Sequence, residues 1–288
     1  MTDFYVPGDS GVTGVTIADP ENTSGRLLPR ELAPGVTWLG DCMLFPTPQG
    51  LKLGKLEHSY TAVFLVSGED SSLLVDTGHP KDWVVVRTQL DALFEASVPP
   101  LKYIFPTHFE VTHSGNLGRL LRRFPEARAV GNIRDFELIF PDLAGRMDHK
   151  EVGDSVDLGA RRFVFVDAVF KDLVSTLWGY DEKEQVLFSS DGLGFGHYHG
   201  DEHCGKFAEE LPELPIPELT GIFLEYALYW TRLKDVEPHI ERLRKLVFED
   251  YPVRLIASAH GSPVSDPSTT MERIEGGMRE LAERYAIR

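Results

Sequence analysis

A chain of 288 residues with 42% apolar side chains has enough material to bury the core of one α/β domain, and its formal net charge is −16. That acidity excludes nucleic acid and anionic membrane surfaces as partners, because both are bound through basic patches. Cys42 and Cys204 are too few and too isolated for a disulfide framework or a C-x-x-C pair. The start Met1-Thr-Asp-Phe-Tyr-Val-Pro-Gly8 has neither the basic nor the apolar region of a secretion signal. A protein of the cytoplasm with reduced thiols is expected.

In chain order, residues 1–33 are rich in Gly, Pro, Asp and Thr and predict an irregular N-terminal arm. Residues 34–288 then read as a single domain. Strands are predicted at 36–39, 61–67 and 72–75, where β-branched runs are separated by Gly and Asp turns. The third belongs to Ser71-Ser-Leu-Leu-Val75-Asp76-Thr-Gly78-His79, an apolar strand that delivers a carboxylate at its end. Helical spacing follows over 83–96.

A strand at 101–105 runs directly into Ile104-Phe-Pro-Thr-His108-Phe-Glu110-Val-Thr-His113-Ser-Gly-Asn116. Two imidazoles and a carboxylate lie within six residues. Alternation along the strand sends His108 and Glu110 the same way, and His113 falls near the start of a helix predicted at 116–124. Mixed His/carboxylate sets suit zinc, iron or manganese, whereas thiolates would point to structural zinc.

Further strands are expected at 129–130, 162–166 and 185–189. The last lies in Gln185-Val-Leu-Phe-Ser-Ser190-Asp191-Gly192, again a buried strand ending on a carboxylate. The loop Gly194-Phe-Gly-His197-Tyr-His199-Gly-Asp-Glu-His203 places three imidazoles just beyond it, suited to acid–base work near neutral pH. Helices at 217–233, which carries Phe223, Tyr226, Tyr229 and Trp230, and at 236–248 precede Arg254-Leu-Ile-Ala-Ser-Ala-His260-Gly261, a third strand ending in a ligand-type side chain. An amphipathic helix at 271–285 closes the chain. Strands in two runs with helices outside them predict an αββα sandwich with its chemistry at one edge between the sheets.

The spaced set D-T-G, T-H-x-E-x-x-H-x-G-N, L-F-S-x-D and S-A-H-G, over roughly residues 35–265, resembles the metallo-β-lactamase superfamily. Glu110 in place of the usual second histidine, with Leu187-Phe-Ser-Ser-Asp191-Gly-Leu-Gly-Phe-Gly-His197, is similar to the diiron domain of flavodiiron proteins. The resemblance implies two divalent metal ions, iron, zinc or manganese. His108 and Glu110 match ligands of the first, His113 and His260 ligands of the second, and Asp191 the bridge. Two positions depart from the pattern. Thr112 stands where the family carries an Asp, and the family's remaining histidine falls on Asp172 in an ungapped register, with Asp167 nearby.

Three functions follow as expectations. The first is a metal-dependent hydrolase acting on a small activated ester, lactone or aryl ether, with metal-bound hydroxide positioned by Asp191 and protons managed by His197 or Asp76. It is preferred because no flavin or nucleotide is expected in this chain: only some 28 residues follow His260, too few for a flavodoxin domain, and no glycine-rich nucleotide fingerprint is present. The alternative is a non-haem diiron protein that binds, senses or reduces dioxygen or nitric oxide with electrons from a separate reductase. The third is a supporting subunit paired with a homologous chain, so either a homo-oligomer or a hetero-oligomer is allowed.

Overall fold

The computed structural model describes residues 28–46, 56–196 and 203–285. One sheet has the order β1 (Arg30–Ala33), β2 (Val36–Leu39), β5 (Val63–Ser67), β6 (Ser72–Val75), β7 (Leu101–Phe105), β8 (Arg128–Gly131) and β9 (Met147–His149). The other runs β10 (Ser155–Asp157), β11 (Arg162–Asp167), β12 (Leu177–Asp181), β13 (Val186–Ser190) and β14 (Leu255–Ser258). A separate hairpin joins β3 (Cys42–Pro46) to β4 (Leu56–Tyr60). Within the first sheet the pairs from β6 to β9 are parallel, and in the second only β13 and β14 are.

The continuous apolar runs of β6 and β13 leave every residue buried, as a strand covered on both faces requires. Between the sheets, the Phe105 ring meets Phe163 and Phe165 at centroid distances of 5.9 and 5.0 Å, and Phe64 meets Phe188 at 5.5 Å. Alternation along the strands sends their neighbours outward. Leu74 and Ile104 pack under α1 (Trp83–Glu95) and α3 (Leu117–Arg123) through Val86, Leu90 and Leu120. On the far side, Leu187 and Ile256 pack with α5 (Ile216–Ala227), α6 (Glu237–Lys245) and α7 (Pro267–Tyr285) through Leu224, Ile240 and Met278. These four layers are the expected αββα sandwich.

Three expectations need correcting. Arg30–Ala33 was placed in the irregular arm but pairs with β2 as an edge strand, while residues 1–27 lie outside the described residues. The helix expected over 217–233 ends at Ala227 because Leu228 leaves helical geometry (φ −124°, ψ 45°), and a 3-10 turn follows at Tyr229–Leu233. Strand β12 was not anticipated because Leu-Trp-Gly-Tyr-Asp lacks a β-branched run. Its Gly179 is required by packing, since a Cβ there would lie 2.2 Å from Phe163 Cζ. No helix among the described residues is long and apolar enough to cross a membrane.

Arg161 clamps the sheets together at one edge. Its guanidinium donates to the carbonyls of Pro34, Gly35 and Ser67 at 2.6, 2.9 and 2.7 Å, and Nε lies 3.4 Å from Asp181 Oδ1. Both charged side chains are buried, and burial pushes the Asp181 carboxyl up despite the arginine. Removing one partner of a buried pair leaves the other uncompensated. Arg161→Ala is therefore expected to cost about 3–5 kcal/mol, read as lost unfolding free energy in urea.

Candidate metal centre

Each of four strands hands a functional side chain to the same edge of the sandwich. Strands β6 and β7 are parallel in one sheet and β13 and β14 in the other, so their C-terminal ends lie side by side within each pair. Asp76 follows β6, His108 and Glu110 follow β7, Asp191 follows β13, and His260 follows β14. Asp76 (φ 59°) and Ser190 (φ 51°) adopt left-handed conformations that turn the chain sharply out of its strand. The two edges are stitched by backbone bonds from Ala62 N to Ala259 O at 2.8 Å and from Leu177 N to Thr107 O at 3.0 Å.

The short helix α2 (Val111–Ser114) carries His113 and is tied to the turn after β6. Thr77 donates from both its backbone N and its hydroxyl to the His113 carbonyl, at 2.7 and 3.0 Å. Asn116 donates from Nδ2 to the carbonyls of Thr77, Gly78 and His79. The asparagine of the motif is thus a brace for the histidine.

Six side chains converge. Ligand-type atoms of His108, Glu110, His113 and Asp191 all lie within 4.8 Å of one another. His108 Nε2 is 3.1 Å from Asp172 Oδ2 and 3.9 Å from Glu110 Oε2. Asp191 Oδ1 lies 3.2 Å from His113 Nε2 and 3.4 Å from His260 Nε2. Asp172 therefore enters the cluster, and Thr176 Oγ1 steadies its other oxygen at 2.8 Å. Asp167, the neighbouring carboxylate, turns away to Lys171 and Arg242.

Hydrogen bonding fixes the imidazole tautomers. Asp76 Oδ2, which only accepts, sits 2.8 Å from His113 Nδ1, so that nitrogen carries the proton and Nε2 offers its lone pair. The Tyr60 carbonyl does the same for His260 Nδ1 at 3.0 Å. Thr107 donates its hydroxyl to Asp76 Oδ1 at 2.9 Å, leaving Thr107 Oγ1 to accept from Ser190 at 2.8 Å. Ser190 Oγ then accepts from His108 Nδ1 at 3.1 Å. A relay of His108, Ser190, Thr107 and Asp76 results, and all three imidazoles turn their Nε2 atoms toward the cluster.

Asp76 was expected to manage protons. Both its oxygens are instead engaged in orienting His113 and His108, behind the cluster. His197 and His199 lie outside the described residues. Of the aromatic group, Phe223 packs on His260 with centroids 5.2 Å apart, and Trp230 donates to the Lys171 carbonyl at 2.8 Å beside Asp172. Tyr226 and Tyr229 are exposed. Sequence reasoning missed Thr107, Ser190 and Tyr60. The first two stand immediately before His108 and Asp191, which was a usable signal, whereas Tyr60 reaches His260 only through the fold.

The donor set fits a cation. His108 Nε2, His113 Nε2, Asp172 Oδ2 and Asp191 Oδ1 are buried and have no hydrogen-bond partner, an arrangement that is costly unless something charged is shared between them. Burial pushes the Asp191 carboxyl up, but His113 and His260 outweigh it and hold it well below the usual carboxylate range. Burial likewise opposes protonation of His113, yet Asp76 and Asp191 raise its pKa well above the ordinary value. Asp172 is held down, against burial, by His108. The field of the cluster therefore attracts positive charge, and without thiolates the donors are those of zinc, iron or manganese.

Comparison with known proteins narrows the chemistry. A family model described as the metallo-beta-lactamase superfamily matches residues 57–205. The coenzyme F420H(2) oxidase of Methanothermobacter marburgensis is 26% identical over 235 residues, 76% of this chain and 55% of that protein. The anaerobic nitric oxide reductase flavorubredoxin of Aeromonas hydrophila is 24% identical over 212 residues, 70% of this chain and 39% of that protein. The structure of rubredoxin oxygen:oxidoreductase from Desulfovibrio gigas shares the fold with a TM-score of 0.65 at 14% identity, over 88% of this chain and 61% of that one. The chain spans about half the length of the curated relatives it matches. These relatives are named as oxidases and reductases, which overturns the expectation of a metal-dependent hydrolase. The side chains around Asp191 suit either chemistry, and the preference for hydrolysis rested on a missing electron route rather than on the site. The match covers more than half of the sequence and includes the strands that deliver Asp76, His108, Glu110, His113 and Asp191: the chain belongs to the metallo-beta-lactamase superfamily.

Proposed function

We propose that this chain is a non-haem diiron oxidoreductase that binds dioxygen or nitric oxide and reduces it with electrons from a separate donor. The observation that carries this reading is the six-membered donor set, three imidazole Nε2 atoms and three carboxylates around one centre. Equal shares of nitrogen and oxygen favour iron or manganese over a nitrogen-rich or thiolate zinc site. His108, Glu110 and Asp172 would hold one iron, His113 and His260 the other, with Asp191 shared. Bound iron supplies the one-electron redox chemistry that protein side chains lack. The names of the oxidase and reductase relatives support the choice of small diatomic substrates.

The chain's own residues do the rest. Asp76, Thr107 and Ser190 hold the Nδ1 protons of His113 and His108 in place, so these imidazoles act as fixed donors rather than as proton carriers. Phe223 covers His260 and gives that side of the centre an apolar wall. Glu110, with half its side chain exposed, is the carboxylate of the set that reaches water. Thr112 Oγ1 is buried without a hydrogen-bond partner beside His113. A neutral hydroxyl there leaves the second metal with fewer anionic donors than the first.

Three outcomes test this reading. Protein loaded anaerobically with ferrous iron is expected to retain about two irons per chain, to change its optical spectrum on exposure to oxygen or nitric oxide, and to consume the gas steadily only when a chemically reduced flavin is supplied. A zinc-loaded, gas-insensitive protein would sink the proposal. Asp76→Asn should weaken iron binding by about 10–100-fold, as loss of a partner behind a histidine ligand does, measured by competition with a chelator while circular dichroism reports the fold. Thr112→Asp should act in the opposite direction, slowing loss of the second iron to the same chelator. If instead it releases both irons faster, His113 and His260 do not hold a metal beside that position.

A further inference from the structure

Helix α5 and the 3-10 turn after it reach both sides of the cluster. Phe223 of α5 lies on the His260 ring with centroids 5.2 Å apart. The helix stops at Ala227, and the turn at Tyr229–Leu233 brings Trp230 against the loop between β11 and β12 that carries Asp172. Buried Thr231 holds the base of this turn, donating to the Leu228 carbonyl from its backbone N–H and its hydroxyl at 3.0 and 2.8 Å. Trp230 stacks on Phe170 with centroids 6.0 Å apart and the rings 18° from parallel. His239 of α6 packs on Trp230 and Phe170 at 5.1 and 5.8 Å. Phe170 is fully buried, two residues before Asp172.

We infer that Trp230 is a positioning residue for Asp172. Its indole N–H, 2.8 Å from the Lys171 carbonyl, sets the peptide unit from which the Asp172 side chain reaches His108. The inference rests on the reading of Asp172 as an iron ligand. A peptide unit is planar, so the Lys171 C=O and the N and Cα of Asp172 share one plane. A hydrogen bond held at that oxygen therefore fixes where the Asp172 side chain begins. Indole donates and does not accept, which suits it to a carbonyl and not to the ligand carboxylate's protonated partners.

The far end of the loop is held independently. Thr176 Oγ1 accepts from the Leu173 N–H at 3.3 Å and donates to Asp172 Oδ1 at 2.8 Å. Leu177 N donates to the Thr107 carbonyl, beside His108, at 3.0 Å. Thr176 thus fixes the rotation of the carboxylate, whereas Trp230 fixes the backbone that carries it. On the near side, Lys171 and Arg242 pair with Asp167 through partly exposed side chains, and such pairs hold a backbone weakly. Removing the indole N–H alone leaves the ring cluster in place, so the hydrogen bond can be separated from the packing.

Wild-type, Asp172→Ala, Trp230→Phe and His239→Leu chains are loaded anaerobically with ferrous iron, and release of the iron to a graded chelator is followed. Urea unfolding of the metal-free chains is measured in parallel. Asp172→Ala identifies the step of the release curve that depends on Asp172. Trp230→Phe keeps a ring against Phe170 and His239 but has no donor. It is expected to weaken that same step about tenfold, the smaller end of the loss that follows removal of a group behind a ligand, and to leave the other step unchanged. His239→Leu takes a ring from the cluster but keeps the donor, and should lower the urea midpoint without moving either step. Wild-type retention of that iron by Trp230→Phe would overturn the proposal while the reading of Asp172 stands. Equal weakening of both steps would do the same, as would His239→Leu weakening the Asp172 step as much as Trp230→Phe does. If Asp172→Ala weakens neither step, Asp172 holds no iron, and that reading and the proposal fail together.

Discussion

Asp76 is buried at the end of a strand, and the geometry of the metal centre depends on it. One of its oxygens holds the Nδ1 proton of His113, and the other receives the Thr107 hydroxyl that begins the relay through Ser190 to His108. A carboxylate has no proton to give, so the direction of every bond in this chain is determined by its position. Two imidazoles are thereby locked with their Nε2 atoms facing inward before any cation arrives. The left-handed turn at Asp76 aims the carboxylate, and the same sharp conformation at Ser190 aims the hydroxyl that completes the relay.

The fold holds those turns in register. Each sheet contributes a parallel pair whose C-terminal ends reach the same edge, and the phenylalanine layer between the sheets sets the spacing of the two pairs. The opposite edge is closed by Arg161, which reaches the β1–β2 turn, the end of β5 and the end of β12. A sandwich clamped at one edge by a buried ion pair can leave the other edge lined with polar groups that do not satisfy each other. Four buried atoms without hydrogen-bond partners, His108 Nε2, His113 Nε2, Asp172 Oδ2 and Asp191 Oδ1, meet at that edge, as expected when local stability is exchanged for a binding site.

Much of this was legible in the residues. Apolar strands ending in Asp76, Asp191 and His260, and the H-x-E-x-x-H after β7, were visible because strand periodicity and ligand chemistry are local signals. The resemblance to flavodiiron proteins supplied Asp172, which no periodicity would have singled out. What escaped was long-range. The reach of Tyr60 to His260 depends on how the hairpin docks. Strand β12 was hidden because the packing of Phe163 selects a glycine there, against local strand propensity. The hydrolytic expectation failed for a different reason. Imidazoles and carboxylates bind several metals, and which reaction follows is determined by the metal and the electron supply more than by the ligand types.

The two halves of the centre are anchored differently, and that difference has consequences. His108 and His113 depend on a side chain embedded between β6 and α2, within the clamped sandwich. His260 depends on a backbone carbonyl at the end of β4, in a hairpin that belongs to neither large sheet. The first pair moves only if the core moves, whereas His260 follows any displacement of the hairpin. The loss of a carboxylate at Thr112 falls on that same side. The half that holds His108 is thus rich in anions and rigidly oriented, whereas the half that holds His113 and His260 is poorer in charge and rigid at only one of its two imidazoles. A cation held by His113, His260 and Asp191 would therefore exchange more readily than its neighbour. Adjustment of this site, by a bound gas or by a change in the hairpin, would be registered first at His260.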